Sequence, residues 1–136
     1  MQKSKYNTNL AAEFYVLSVL HRLGADAALT LGNKKSMDIV VVCGAGGAIT
    51  VDVKGLAGTT SWPVDNVTKT KSNHFLVFVC YNNKIDQPIV SPDVWIMPST
   101  VLKHYRYVAP GGRRVVFRGT LLKRASKYKN AWHCIA

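Results

Sequence analysis

The sequence predicts an α/β sandwich built around a mixed sheet. An apolar helical stripe opens the chain, three strand-like segments follow it, and two further apolar strands precede a basic C-terminal third. Apolar central strands need cover on both faces, and elements in the order α, βββ, then β, β and α can supply it. With 136 residues, 48% of them apolar, we expect one domain over residues 1–136 with a sizeable core.

The first predicted element is a helix from about residue 8 to Leu23. A polar residue at 7–9 can cap its start, and Gly24 can close it. The same segment, preceded by two lysines, also resembles a secretory signal, but Glu13 interrupts its apolar run, which favours an amphipathic helix. Glu13 lies one position from the apolar stripe, which consists of Leu10, Phe14, Leu17 and Leu20.

Three strands are predicted next, at residues 27–31, 38–43 and 48–54. Residues 32–35 read as a turn, and the glycines between residues 44 and 47 indicate a tight reversal. The 38–43 segment is a continuous β-branched run, typical of a strand that is covered on both faces. We expect these strands to form an antiparallel meander packed against the helix.

Residues 55–73 are polar, rich in Gly, Thr, Ser and Asn, and broken by Trp62-Pro63. No helix is evident there, so the segment reads as a loop, and a loop of this length in a small domain is usually functional or disordered. Lys69 and Lys71 would bring positive charge to it.

Alternation of polar and apolar residues singles out the third strand. Asp52 and Lys54 alternate with Val51 and Val53, so both polar groups project from one face. Burying a carboxylate and an ammonium costs folding free energy, so their presence on such a strand suggests a functional role. Asp38 begins the preceding strand and Glu13 lies in the helix, so these three acids, of seven in the chain, are expected at one site.

The later segments complete the prediction. Residues 74–81 read as a buried strand and residues 94–97 as another. A short helix should run from Ser99, its expected cap, to about residue 107. A short strand at 113–117 and a basic helix from Thr120 to about residue 129 then follow.

The charge of the chain predicts a polyanionic partner. Eighteen Lys and Arg against seven Asp and Glu give a net charge of +11, and no side-chain carboxylate follows Asp93. Nucleic acid is the usual partner of such a surface, with an anionic membrane surface second and a merely basic protein as the bland alternative. The cations we expect to contact nucleic acid are Lys34, Lys35, Lys69, Lys71, Arg113, Arg114, Lys123, Arg124 and Lys127.

The cysteines and the apolar segments indicate in which cellular compartment the protein is expected. Cys43, Cys80 and Cys134 are odd in number and lack metal-ligand spacing, which favours buried free thiols in a reducing, cytoplasmic setting. No apolar run approaches the roughly 20 residues needed to span a bilayer, so no membrane partner is expected.

Four residues in this order and spacing resemble the PD-(D/E)XK nuclease superfamily. Glu13 matches its helical acid, Asp38 the acid opening the second strand, and Asp52 and Lys54 the acid and lysine of the third. The resemblance covers about residues 8–81 and is shared with archaeal Holliday-junction resolvases and small uncharacterised members. It implies a restriction-endonuclease-like three-layer sandwich with an αβββαβ core. Two features depart from the pattern, namely Met37 in place of the nominal proline and the unpredicted second helix.

The resemblance also implies a chemistry, namely Mg²⁺-dependent cleavage of phosphodiester bonds with Mn²⁺ able to substitute. Asp38, Asp52 and the backbone carbonyl of Val53 would bind the metal, and Glu13 would assist. Lys54 would orient or deprotonate the attacking water. DNA is a more expected substrate than RNA, and a homodimer is left open because cutting both strands of a duplex is often done by paired sites.

Three alternatives stay open at this point. A non-catalytic nucleic-acid-binding module on the same scaffold would explain the charge without a metal. A basic interaction or membrane-surface protein would leave the carboxylates structural. The polar cluster itself could be an ion-pair network of Lys54 with Asp52 or Asp38.

Overall fold

The computed structural model describes residues 4–30 and 38–136. These residues form two α-helices, eight strands and three short 3-10 helices. Their order is α1 (Lys5–Arg22), β1 (Asp26–Leu29), β2 (Ile39–Val42), β3 (Ala48–Leu56), β4 (Ser61–Pro63), β5 (His74–Cys80), β6 (Asp93–Pro98), a 3-10 helix (Ser99–His104), β7 (Tyr107–Val108), β8 (Arg114–Phe117), α2 (Arg118–Arg124) and 3-10 helices at Ser126–Tyr128 and Trp132–Cys134.

Five strands form the main sheet in the order β1-β2-β3-β5-β6. The first three are antiparallel neighbours, which confirms the predicted meander. β3 and β5 pair in parallel, with Asp52 opposite Leu76 and Lys54 opposite Phe78, whereas β5 and β6 are antiparallel. The sheet is therefore mixed, as predicted, and β3 lies at its centre.

Helix α1 covers one face of this sheet. The Ser4 side chain caps it by accepting from the Asn7 N–H at 3.0 Å, so the helix begins before the predicted cap at residues 7–9. It ends as predicted, because Gly24 takes a φ of +84°, which favours glycine. Its buried residues pack with Val51 and Val53 of β3 in one core.

The opposite face of the sheet is covered by a second core. Trp62 and Val64 from the segment after β3 pack there with Leu76 and Phe78 of β5. The same segment supplies β4, which joins β8 and β7 in a three-stranded sheet. The expected αβββαβ order is therefore wrong at its second helix, because β3 connects to β5 through β4 and irregular chain. The prediction of residues 55–73 as a structureless loop is wrong for the same reason.

Three further predictions need correction. β2 is not covered on both faces, since its side chains alternate and Val42 is half exposed. Ser99 does not cap its helix; it is buried, and its hydroxyl bonds the backbone of Lys71 instead. The last helix begins earlier and is shorter than predicted, with its α-helical part confined to Arg118–Arg124.

The cysteines and the helices complete the description. All three cysteines are free thiols; Cys80 is buried as predicted, while Cys43 and Cys134 are partly exposed. Within the described residues, no helix is long and apolar enough to cross a membrane.

Helix α1 lies close to β3 at Gly55, which yields a stability prediction. A Cβ at Gly55 would lie 3.0 Å from the Thr8 carbonyl oxygen and 3.1 Å from the Ala12 Cβ. We expect Gly55→Ala to lower the free energy of unfolding by about 1–3 kcal/mol, because helix and strand must move apart. Urea unfolding measures this loss. Gly58→Ala is the control, since its nearest neighbour would lie at an ordinary 3.6 Å, and an equal loss in both variants would contradict the explanation.

Candidate functional site

The two faces of β3 have different neighbours. Val51 and Val53 point into the core beneath α1, so Asp52 and Lys54 project from the other face, towards the segment that carries β4. Asp52 is 3% exposed and Lys54 is partly buried. The sheet therefore holds both polar groups in place, as the alternation predicted.

Asp38 lies just before β2, at the point where the β2–β3 ladder ends. The ladder stops at the pair Ile39 and Val51, while β3 continues to Leu56. The next outward-facing N–H of β3, that of Val53, donates instead to Asp38 Oδ2 at 2.7 Å. Because the N–H and C=O of one strand residue point to the same side, the Val53 carbonyl also faces this gap.

Glu13 reaches the same place from α1. Its carboxyl group interacts with the carboxyl group of Asp38, and two neighbouring carboxyl groups disfavour ionisation of both. Burial raises the pKa of Glu13 to about 7, and the negative charge and hydrogen bond of Asp38 add to the rise. Burial also raises the pKa of Asp38, opposed by the Val53 N–H and supported by the Asp52 charge.

Asp52 has one oxygen engaged and one without a partner. Its Oδ2 lies 3.3 Å from Nε2 of His74, a buried residue at the start of β5. Its Oδ1 is buried and has no hydrogen-bond partner among the described residues. A buried carboxylate oxygen without a donor is costly, and a bound cation is one way to satisfy it.

Lys54 forms no ion pair with Asp52 or Asp38, in contrast to the structural alternative. Its Nζ donates to Oδ1 of Asn66 at 2.7 Å, and the ion pairs of the described chain do not include it. Burial lowers the pKa of the Lys54 ammonium, whereas the charges of Asp52 and Asp38 oppose that change. Lys54 is therefore held near the carboxylates by a neutral acceptor.

An open pocket of about 450 Å³ adjoins Asp52 and contains two of the predicted cations. Lys69 and Lys71 line it with His74, and both lysines are exposed. The hydroxyl of Ser99 bonds the backbone of Lys71 and fixes the chain there.

The remaining predicted cations are not brought to this pocket. Arg113 and Arg114 bond Asp65, Arg124 stacks over Tyr105, and Lys127 stacks over a neighbouring tyrosine. Lys123 is exposed on α2 and has no contact of this kind. Lys34 and Lys35 lie outside the described residues.

The site has oxygen atoms of the kind that a hard divalent cation binds, but within the described residues they do not form a complete set of ligands. Within residues 4–30 and 38–136, no three Asp, Glu, His or Cys side chains stand ready as a metal-binding group. Nevertheless, Glu13 and Asp52 both interact with Asp38, and Oδ1 of Asp52 is a potential metal ligand that accepts no hydrogen bond from the described residues. Carboxylate oxygens are what Mg²⁺ and Mn²⁺ prefer.

Comparison with known proteins supports the fold. No family model matches the chain, and no curated protein matches it. Among solved structures, the bacterial homing endonuclease I-Ssp6803I matches with a TM-score of 0.60 and 20% sequence identity. The match covers 98% of this chain and 93% of that one. It shows a shared mixed α/β fold across nearly the whole chain.

Sequence reasoning missed two residues at the site, His74 and Asn66. His74 opens a strand that pairs in parallel with β3, and the sequence gives no sign of that register. Asn66 lies in the segment that was expected to be a loop. A strand-opening histidine and a polar residue between two buried valines are weak signals, because each acquires its role only through a distant contact.

The Glu13–Asp38 pair generates a prediction about pH. Glu13 holds its proton up to about pH 7 in the folded chain, against an ordinary value of 4.5, so its contribution to stability falls as pH rises through this range. Glu13→Gln replaces the carboxyl group with an amide, which does not titrate and can donate to Asp38, so the loss of stability should be absent. Without metal, we expect the variant to be more stable than the wild type at pH 8 by roughly 1 kcal/mol, reduced by solvent screening.

Urea unfolding at pH 4.5, 6, 7 and 8 in the presence of a chelator measures this difference. It should shrink towards pH 4.5, where the unfolded chain also begins to bind the Glu13 proton. Parallel stability profiles for the two proteins would show that the pair does not interact as described.

Proposed function

We propose that this protein is a metal-dependent nuclease that cleaves phosphodiester bonds in DNA. The observation that carries the proposal is the meeting of Glu13, Asp52 and Lys54 around Asp38, beside a buried carboxylate oxygen that lacks a partner. Like charges and a partly buried lysine cost folding free energy, so their grouping favours a functional role. A solved structure of the same fold is a homing endonuclease, which supports a nuclease further.

Each side chain then has a role in hydrolysis. Asp38 and Asp52 would hold Mg²⁺, or Mn²⁺ in its place, and the Val53 carbonyl would be a third ligand. When bound, the metal supplies positive charge that offsets the charge developing on the phosphate. Glu13 would assist them as the third carboxylate. Lys54, whose pKa is lowered by burial, orients the attacking water and can accept its proton at Nζ.

A nucleic acid is the proposed substrate because of the charge beside the site, and the likeness to a homing endonuclease favours DNA. Lys69 and Lys71 stand at the open pocket next to Asp52, where a phosphate strand could approach the carboxylates. The proposal includes membership of the PD-(D/E)XK superfamily, on the strength of the four matching residues. It also includes a cytoplasmic location, which the pattern of free cysteines favours. A homodimer is a further part, in which two sites would serve the two strands.

The central test is cleavage. Purified protein is incubated with linear, nicked, branched and single-stranded DNA and with RNA, with Mg²⁺, Mn²⁺ or EDTA. We expect metal-dependent cutting of DNA that falls at least about 100-fold in Asp52→Ala and in Lys54→Ala. The exposed acid Asp26 provides a matched control, and Asp26→Asn should cut normally.

A second readout does not depend on turnover. Ca²⁺ or Mg²⁺ should raise the melting temperature of the wild type and of Asp26→Asn but not of Asp52→Ala. Salt-sensitive DNA binding without cleavage or metal stabilisation would instead identify a non-catalytic binding module. Binding to anionic liposomes without affinity for nucleic acid would identify a membrane-surface protein.

The salt dependence of DNA binding tests the proposed path of the strand. With Ca²⁺ present, Lys69→Gln and Lys71→Gln should each reduce the slope of log affinity against log salt by about 1, because each removes one phosphate contact. Lys84→Gln is the control, since Lys84 follows the far end of β5 from His74 and is also exposed. Equal slopes for all four proteins would place the DNA elsewhere.

A further inference from the structure

Residues Val64–Val67 form a turn that is anchored on both sides. The backbone N–H of Val64 donates to the Arg114 carbonyl at 3.0 Å, and the N–H of Val67 donates to the Val64 carbonyl at 3.1 Å. The side chains of Val64 and Val67 are buried, in the core beneath β5. The two residues between them are therefore held in fixed directions.

Asp65 ties this turn to β8. Its Oδ1 accepts the backbone N–H of Arg114 at 2.7 Å, and its carbonyl accepts the Arg114 guanidinium. The bond from the Arg114 N–H holds the pKa of Asp65 below its usual range, so this carboxylate is charged at neutral pH. Arg113 lies 3.4 Å from the other oxygen, on the exposed side.

Asn66 is the residue that this turn presents to Lys54. A lysine side chain has four rotatable bonds and three donors, so nothing in its own structure fixes its ammonium. The Asn66 Oδ1, 2.7 Å from Nζ, supplies one fixed acceptor. Because the acceptor is an uncharged amide, it directs the ammonium without adding another carboxylate beside the phosphate path.

We propose that Asn66 is a positioning residue that fixes the Lys54 ammonium for the cleavage step, and that the Asp65–Arg114 contacts hold Asn66 in place. The inference rests on the proposed nuclease function. The segment between β3 and β5 thus contributes to the chemistry, although it contains none of the four residues that carry the resemblance. The position of the Lys54 ammonium thus depends on β8, because the two Asp65–Arg114 hydrogen bonds hold the turn that carries Asn66.

The test compares chemistry with binding. In Asn66→Ala, the single-turnover cleavage rate at saturating Mg²⁺ should fall about 10- to 100-fold, as expected when an oriented group becomes free to rotate. DNA affinity in Ca²⁺ should stay within about twofold of the wild type, since phosphate contacts are retained. Asp65→Ala should lose rate in the same direction. Gln87→Ala, an exposed amide after the far end of β5, is the control and should behave as the wild type.

Lysine side-chain NMR supplies a readout that does not require activity. In the wild type, the Lys54 Nζ should be rigid on the ps–ns scale, and Asn66→Ala should make it as mobile as an exposed lysine such as Lys84. If the wild type cuts no DNA, the proposed function fails while the NMR result still decides whether Asn66 fixes Lys54. A normal cleavage rate, unchanged Lys54 mobility, or a loss confined to DNA affinity in Asn66→Ala would each overturn the proposal.

Discussion

The hydrogen bond from the Val53 N–H to Asp38 Oδ2 marks the point at which the β2–β3 ladder ends and the candidate site begins. A central strand normally gives its N–H groups to neighbouring strands, and a strand longer than its neighbour leaves some of them open. β3 extends beyond its last pair with β2 in this way. The open N–H is satisfied by a carboxylate, and that carboxylate is the centre to which Glu13, Asp52 and Lys54 are coupled.

The electrostatics of this centre oppose folding. Burial and the neighbouring Asp38 disfavour the charge of Glu13, and burial disfavours the charge of Lys54. The rest of the molecule must compensate through its two apolar cores, which lie on the two faces of the same sheet. Gly55 matters here, since the close approach of α1 that it permits also brings Glu13, one residue after Ala12, to the start of β2.

Local patterns predicted much of this arrangement. The 3.6-residue periodicity predicted α1, and the apolar runs predicted the meander and β5. The predicted stripe was wrong as the buried face, because α1 buries Ala12, Val16 and Leu20 while Phe14 is exposed. The period-2 alternation correctly placed Asp52 and Lys54 on one face. The failures concern contacts between distant residues. The hydroxyl of Ser99 has the right position for a helix cap, but the backbone of Lys71 competes for it, and no local pattern reveals that competitor.

The segment between β3 and β5 shows why the expected second helix is absent. Parallel strands need a crossover of a dozen or more residues, and a helix usually provides it because it buries an apolar stripe against the sheet. Here Trp62, Val64 and Val67 bury that apolar surface from a strand and a turn, at positions too irregular for a helical period. Because β4 pairs with β8, its backbone is satisfied without helical hydrogen bonds. The turn leaves the two polar residues between its buried valines unburied. In a helix, successive side chains would instead point in different directions around the helix axis. The turn therefore allows Asn66 to face Lys54.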